Sequence, residues 1–357
     1  EKNSKECLQQ LLYLTMALAG NVQAAEIRSV GPDGEAAVDA STIELTDDQI
    51  AQIKEGGYTA AICLHYGGND WSTSQQKGLE DTFGELGIEI VAVTDANFSA
   101  ETQVSNIETV MAKKPDILVS IPTDATATAD AYKQAAAAGI KIVFMDQRAN
   151  GLEAGKDYVS VVSADNYGNG YASGTVLGDA LGGKGKVAMV YYDANFAPTN
   201  QRDEGFRDAM KNYPDIEIVT EQGFTDESGC AEQGDAILTQ FPNIDGIYAS
   251  WDVPMEGVLS AVRAAGMEGK VTLACNDLGN NVAREIASGN IAGGGAQMPY
   301  DQGVAEAKLA ALALLGEETP SYVAVPAETV THENVLEAYT DVYHVETPDW
   351  LKEAYVE

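Results

Sequence analysis

Positive charge is what this sequence has least of: Lys and Arg number 21 against 55 Asp and Glu, for a formal net charge of −34. Gripping a phosphate backbone or an anionic lipid surface requires a net positive contact face, so nucleic acid is not expected as a partner. The acidity is spread along the chain and reads as a solvated surface. Cysteine is sparse as well. Cys7, Cys63, Cys230 and Cys275 lie far apart with neither CxxC nor Cys/His metal spacing, so no metal is expected, and sequence alone assigns no disulfide. Of the three histidines, His65, His332 and His344, none accompanies a GxSxG elbow that would make it a catalytic base. No GxGxxG follows the first strand candidate, which leaves a dinucleotide site without support, and no cofactor is expected. No stretch approaches the ~20 apolar residues that a membrane span requires.

Some segments imitate sites. Gly178 to Lys184 (GDALGGK) mimics a phosphate-binding loop, but Gly185 stands where Ser or Thr is required and the stretch precedes a strand, so it reads as a turn. The acidic stretch Asp39 to Asp48 lacks the alternating ligands and glycine of a calcium loop. Thr46-Asp47-Asp48-Gln49 instead has capping-box spacing before an apolar-periodic segment. The apolar run Leu11 to Gly20, with Ala24-Ala25 beyond it, leaves two readings open: an export signal or an N-terminal amphipathic helix.

What is present is material for two α/β lobes. The 357 residues are 45% apolar with 35 glycines, a globular composition long enough for two cores. From Tyr58, β-branched apolar runs alternate with helical patterns, the signature of parallel sheets with helices on both faces. Strands are expected at Thr59–Leu64, Ile88–Val93, Ile117–Ile121, Ile140–Met145 and Tyr158–Val162. A second series follows at Lys186–Tyr191, Ile216–Thr220, Gly246–Ser250, Val271–Cys275 and Ile291–Ala296. The series correspond. Lys77-Gly78-Leu79 opens a helix leading to Gly87-Ile88-Glu89-Ile90-Val91, as Glu204-Gly205-Phe206 leads to Asp215-Ile216-Glu217-Ile218-Val219. Pro115-Asp116-Ile117 leads through Ala138-Gly139 to Asp146 as Ile244-Asp245-Gly246 leads through Ala265-Gly266 to Asn276-Asp277. Internal duplication explains this.

Ligands of open parallel sheets bind beyond the carboxyl ends of the strands. The first half places His65, Tyr66, Asn69, Asp70 and Trp71 there, then Thr123 and Asp124, then Asp146, Gln147 and Arg148. The second places Asp193, Asn195 and Arg202, then Trp251 and Asp252, Asn276 and Asp277, and Gln297. A mixture of carboxylate, amide and guanidinium suits a neutral ligand with many hydroxyls, since each hydroxyl both donates and accepts. Trp71 and Trp251 offer either flat apolar faces for the C–H side of a sugar ring or part of the core. The bland alternative for Asp70, Asp124 and Asp252 is a helix cap.

From Tyr58 to about Val330 the sequence resembles the ribose-type periplasmic sugar-binding proteins of bacterial ABC importers, the type I periplasmic binding proteins. The resemblance rests on Asn69-Asp70-Trp71, Phe144-Met145-Asp146, Val162 to Asn166, Arg202 to Phe206, Asn276-Asp277 and Gln297 to Gly303, in order. It implies two similar doubly wound lobes joined by three crossings. The N-lobe would comprise 57–164 and 298–326 and the C-lobe 165–297 and 327–345, with an N-terminal extension over 1–56 and a tail over 346–357. It further implies a monomeric, extracytoplasmic, non-enzymatic protein that closes on a neutral sugar or sugar alcohol and docks on a membrane permease. The same closed form would also serve a sensory partner, and a glycoside-processing enzyme is a third reading. The contacts implied are Asn69, Trp71, Asp146, Arg202, Trp251, Asp277 and Gln297, with His65, Tyr66 and Arg148 beside them. Three departures argue against transferring ribose as ligand: Gln147 follows Asp146 where the family has arginine, Trp251 replaces an amide, and His65-Tyr66 is unusual.

Overall fold

The computed structural model describes residues 26–356; the apolar segment at 11–20 and Cys7 lie outside them. The strands are β1 (Val38–Asp39), β2 (Thr59–Leu64), β3 (Glu89–Asp95), β4 (Ile117–Ser120), β5 (Lys141–Met145), β6 (Ser160–Ala164), β7 (Lys184–Tyr192), β8 (Asp215–Phe224), β9 (Gly246–Ala249), β10 (Thr272–Cys275), β11 (Gly293–Ala296), β12 (Tyr322–Val325) and β13 (Glu328–Thr331). The helices are α1 (Asp47–Gly56), α2 (Asp70–Glu85), α3 (Ala100–Ala112), α4 (Ala129–Ala137), α5 (Asn166–Ala180), α6 (Ala197–Met210), α7 (Cys230–Gln240), α8 (Asp252–Ala264), α9 (Asn280–Ala287), α10 (Pro299–Leu314), α11 (Val335–Tyr343) and α12 (Asp349–Ala354).

One sheet has the order β1-β12-β6-β5-β4-β2-β3 and the other β13-β11-β10-β9-β7-β8. Pairing is parallel throughout except where β13 runs antiparallel to β11. Central strands such as β4 and β9 are buried at every residue, because helices cover both faces; this is why their sequences are continuous apolar runs and not alternations. The chain changes sheets between β6 and α5, between β11 and α10, and between β12 and β13. Each lobe thus has its own core, and the three connections form the hinge.

Helix entry follows local chemistry. Thr46 and Gln49 form the expected capping box of α1. Helices α2 and α6 begin well before Lys77 and Glu204, because Asn69 accepts from Ser72 N in the first and Pro198 sits in the first turn of the second. The Gly182-Gly183 pair takes positive φ between α5 and β7, the turn its sequence implied.

Residues 28–39 run as a strap from one lobe to the other. The amides of Arg28 and Ser29 donate to the Asp165 carboxylate at 2.9 and 2.8 Å, and the Ser29 hydroxyl donates to it at 2.8 Å. The Arg28 guanidinium lies 4.1 Å from the Tyr171 ring centroid on α5. Further along, Asp33 receives both terminal nitrogens of Arg148 at 2.7 Å, and Val38–Asp39 pairs with β12. The strap is therefore fastened to α5 of one lobe and to the other lobe's sheet.

Candidate functional site

The carboxyl ends of the strands in the two sheets face each other across a shared cavity. Every residue implied as a contact lines it except Arg148, which turns away to Asp33 with 21% of its side chain exposed. The lobes contribute matching groups. Asp146 follows β5 and Asp277 follows β10, and each has a left-handed backbone, with φ of 55° and 69°. That posture is uncommon for a residue bearing a side chain, and aspartate is one of the few that adopts it readily. Each is pinned by its amide to the neighbouring strand, Asp146 N to Val162 O at 2.8 Å and Asp277 N to Gly295 O at 2.9 Å. The sequence duplication thus ends, in each lobe, in the same aspartate posture.

Arg202, on α6, stands between them. Its Nη1 donates to Asp277 at 3.1 Å and to Ser250 O at 3.2 Å, while Nε donates to Asn166 at 2.9 Å. Gln297, at the second crossing, donates to the other oxygen of Asp277 at 2.8 Å and keeps its own carbonyl oxygen unpartnered. Asp146 accepts from Ser163 at 2.9 Å and from Gln302 at 3.4 Å; burial raises its pKa, against the pull of Arg202 and the Ser163 hydrogen bond. Behind Asp277, buried Asp252 is also raised, first by desolvation and then by the Asp277 charge.

Aromatic rings form the remaining wall. Tyr66 stacks on Phe98 at 4.2 Å, His65 stacks on Phe196 at 5.7 Å, and Tyr192 meets Trp251 edge-on at 5.6 Å. His65 is buried among rings, which pushes its pKa down to about 3 by desolvation and keeps it neutral. Its Nδ1 and the Trp71 Nε1 have no partner. Asn69 is spent locally: its oxygen accepts from Ser72 N at 2.8 Å and its amide donates to the Tyr66 hydroxyl.

Other strand-end residues have structural roles. Asp124 accepts from the amides of Thr126 and Ala127, and Asn276 donates to Tyr248 and Ser250 O. Gln147 donates to Pro122 O at 2.8 Å and accepts from Ala197 N at 3.2 Å, away from the cavity. Asp70 reaches across to the other lobe, accepting from the backbone and side-chain nitrogens of Asn280 at 2.7 and 2.8 Å. Sequence reasoning missed Phe98, Tyr192, Phe196 and Thr199. The strand-end rule named Asp193 and Asn195 beyond β7 and nothing beyond β3, so these four residues were passed over; Tyr192 closes β7 and Thr199 lies in α6.

Two α/β lobes, three crossings and a cleft furnished equally by both define a two-lobed ligand-binding protein. The chain belongs to the family described as periplasmic binding protein domain, whose model matches residues 57–318. It is 29% identical over 273 residues to the D-ribose/D-allose-binding protein of Pseudomonas aeruginosa, covering 73% of this chain and 83% of that one. With the ribose import binding protein RbsB of Bacillus subtilis it shares 27% over 213 residues, 59% of this chain and 67% of the relative. Among solved structures, an ABC transporter periplasmic solute binding protein from Actinobacillus succinogenes with bound D-allose aligns at a TM-score of 0.72 and 29% identity, covering 78% of this chain and 99% of that one. One from Agrobacterium vitis bound with alpha-D-tagatopyranose aligns at 0.75 and 25%, covering 82% and 100%. No helix among the described residues is long and apolar enough to cross a membrane.

Proposed function

We propose that this protein captures a neutral sugar or sugar alcohol outside the cytoplasm and delivers it, as a monomer and without chemical change, to the permease of an ABC importer. The observation that carries this reading is the convergence of Asp146 from one lobe and Asp277 from the other on one cavity, with Arg202 and Gln297 between them. Carboxylates accept from sugar hydroxyls while the guanidinium donates to them, and charged partners make such bonds stronger than neutral ones. Since neither lobe holds all of these groups, the ligand binds the closed arrangement best and shifts the hinge toward it. Names of the relatives, ribose, allose and xylose binding proteins among them, support the ligand class. Asn69, Trp71, Trp251, His65 and Tyr66 complete the contact set.

Thermal unfolding against a panel of pentoses, hexoses and polyols tests the reading. A ligand present at 100 times its Kd stabilises the native state by about 2.7 kcal/mol, and chromatography of the mixture should return it unaltered. No stabilisation by any member, or turnover of one, would overturn the proposal.

A further inference from the structure

The cavity is not uniform. Arg202, Asp277 and Gln297 are hydrogen-bonded into a cluster that lines it together with Asp146. Tyr66, Phe98, Tyr192, Phe196 and Trp251 also line it and approach one another as a box built from both lobes. The polar side chains nearest that box are already committed: Asn69 to Ser72 N and Tyr66, Thr199 to the Phe196 carbonyl at 3.2 Å. Gln147, the residue that follows Asp146, brings no donor because it is turned onto Pro122 O and Ala197 N, and Arg148 is held by Asp33. What polarity remains among the rings is the Nδ1 of His65, the Nε1 of Trp71 and the tyrosine hydroxyls; the Glu227 carboxylate behind them is engaged by the Trp251 Nε1 at 3.3 Å and does not line the cavity.

Phe98 shows that the box is held in place. Asn97 and Phe98 are consecutive non-glycine residues with φ of 46° and 59°, a conformation that bulky side chains avoid and that persists only where the surroundings impose it. The Phe98 amide donates to His65 O at 2.8 Å. This bend leaves the ring 40% exposed, stacked on Tyr66 and 6.4 Å from Tyr192 of the opposite lobe.

From this division we infer that the ligand is a sugar with one apolar arm, a methyl group in place of a hydroxymethyl or an alkyl group on the anomeric oxygen, which lies in the aromatic box while its hydroxyls meet the charged cluster. A hydroxyl carried into the box would leave water for surroundings with few partners, whereas a methyl group would gain contact with ring faces. The inference rests on the sugar-binding reading and narrows it.

Matched pairs test it by titration calorimetry: D-galactose against D-fucose, L-mannose against L-rhamnose, and D-glucose against its methyl glucosides. At least one deoxy sugar or glycoside should bind ~10-fold or more tightly than its hydroxylated parent, a difference of about 1.4 kcal/mol. The first two pairs identify a deoxy arm and the third an aglycone. In Phe98→Ser, checked for an unchanged ligand-free melting temperature, the preference should shrink to less than ~3-fold; Tyr192→Ser serves if that variant misfolds. Parents binding as well as their partners, or a preference unmoved in both variants, would overturn the inference and leave sugar binding standing. Absence of binding by these compounds and by every pentose, hexose and polyol would overturn both.

Discussion

Asp70 shows how much a single side chain can do across a moving interface. Helix α9 has Gly279 at its N-cap and no capping side chain of its own. The Asp70 carboxylate supplies the cap from the other lobe, and the Asn280 side chain it also holds accepts from the Tyr339 hydroxyl at 2.5 Å. This contact joins the two lobes across the cleft. Loss of a capping side chain costs roughly 0.5–2 kcal/mol, so Asp70→Ala should weaken ligand binding by roughly 2- to 30-fold in calorimetry. Unfolding of the ligand-free protein should change little. An equal loss in both measurements would show that Asp70 supports its own lobe instead. In the sequence Asp70 reads as a ligand contact or as a cap for its own helix; its partner lies 210 positions away, and no local pattern reports such a pairing.

At the level of elements, α5 and α6 cross closely enough that side chains are excluded. A Cβ on Gly170 would lie 1.8 Å from the carbonyl oxygen of Arg202, and one on Gly205 would lie 2.1 Å from that of Tyr167. This crossing sets the position of Arg202 in the cleft. Gly205→Ala should force the helices apart, destabilise the protein by about 1–3 kcal/mol, and weaken sugar binding further by withdrawing the guanidinium. Comparing its melting temperature with its affinity separates the two effects. The elements themselves were largely legible: β2 matches its expected span, Thr59–Leu64, and most of the other expected strands agree within about two residues, because buried parallel strands are written as apolar runs. β8 extends further, to Phe224, than Ile216–Thr220 suggested. The strands β1, β12 and β13 were not legible. β1 is two residues long and β13 is only partly buried, while β12, as short and as buried as β4, lies outside the two duplicated series. In the site, the charged residues stood out because buried charge requires a reason, whereas Phe98 and Phe196 resemble ordinary core.

For the whole molecule, the strap over residues 28–39 matters most. It lies before the family match at residue 57, so it adds a connection to the three that the two-lobed fold already has. Ser29 is buried and is bound twice, its hydroxyl donating to Asp165 and accepting from Tyr167 N at 3.0 Å. Replacing Arg28 and Ser29 together by alanine should cost about 1–3 kcal/mol of stability, and should enlarge the ligand-free radius of gyration in small-angle scattering while leaving the sugar-bound value unchanged. A ligand-free radius equal to that of the unsubstituted protein would show that the strap does not limit opening. A hinge tethered in this way should swing through a smaller arc. Such a protein loses little time between first encounter and closure, so differences in affinity among its ligands should fall mainly on how long each stays, with rates of capture much alike.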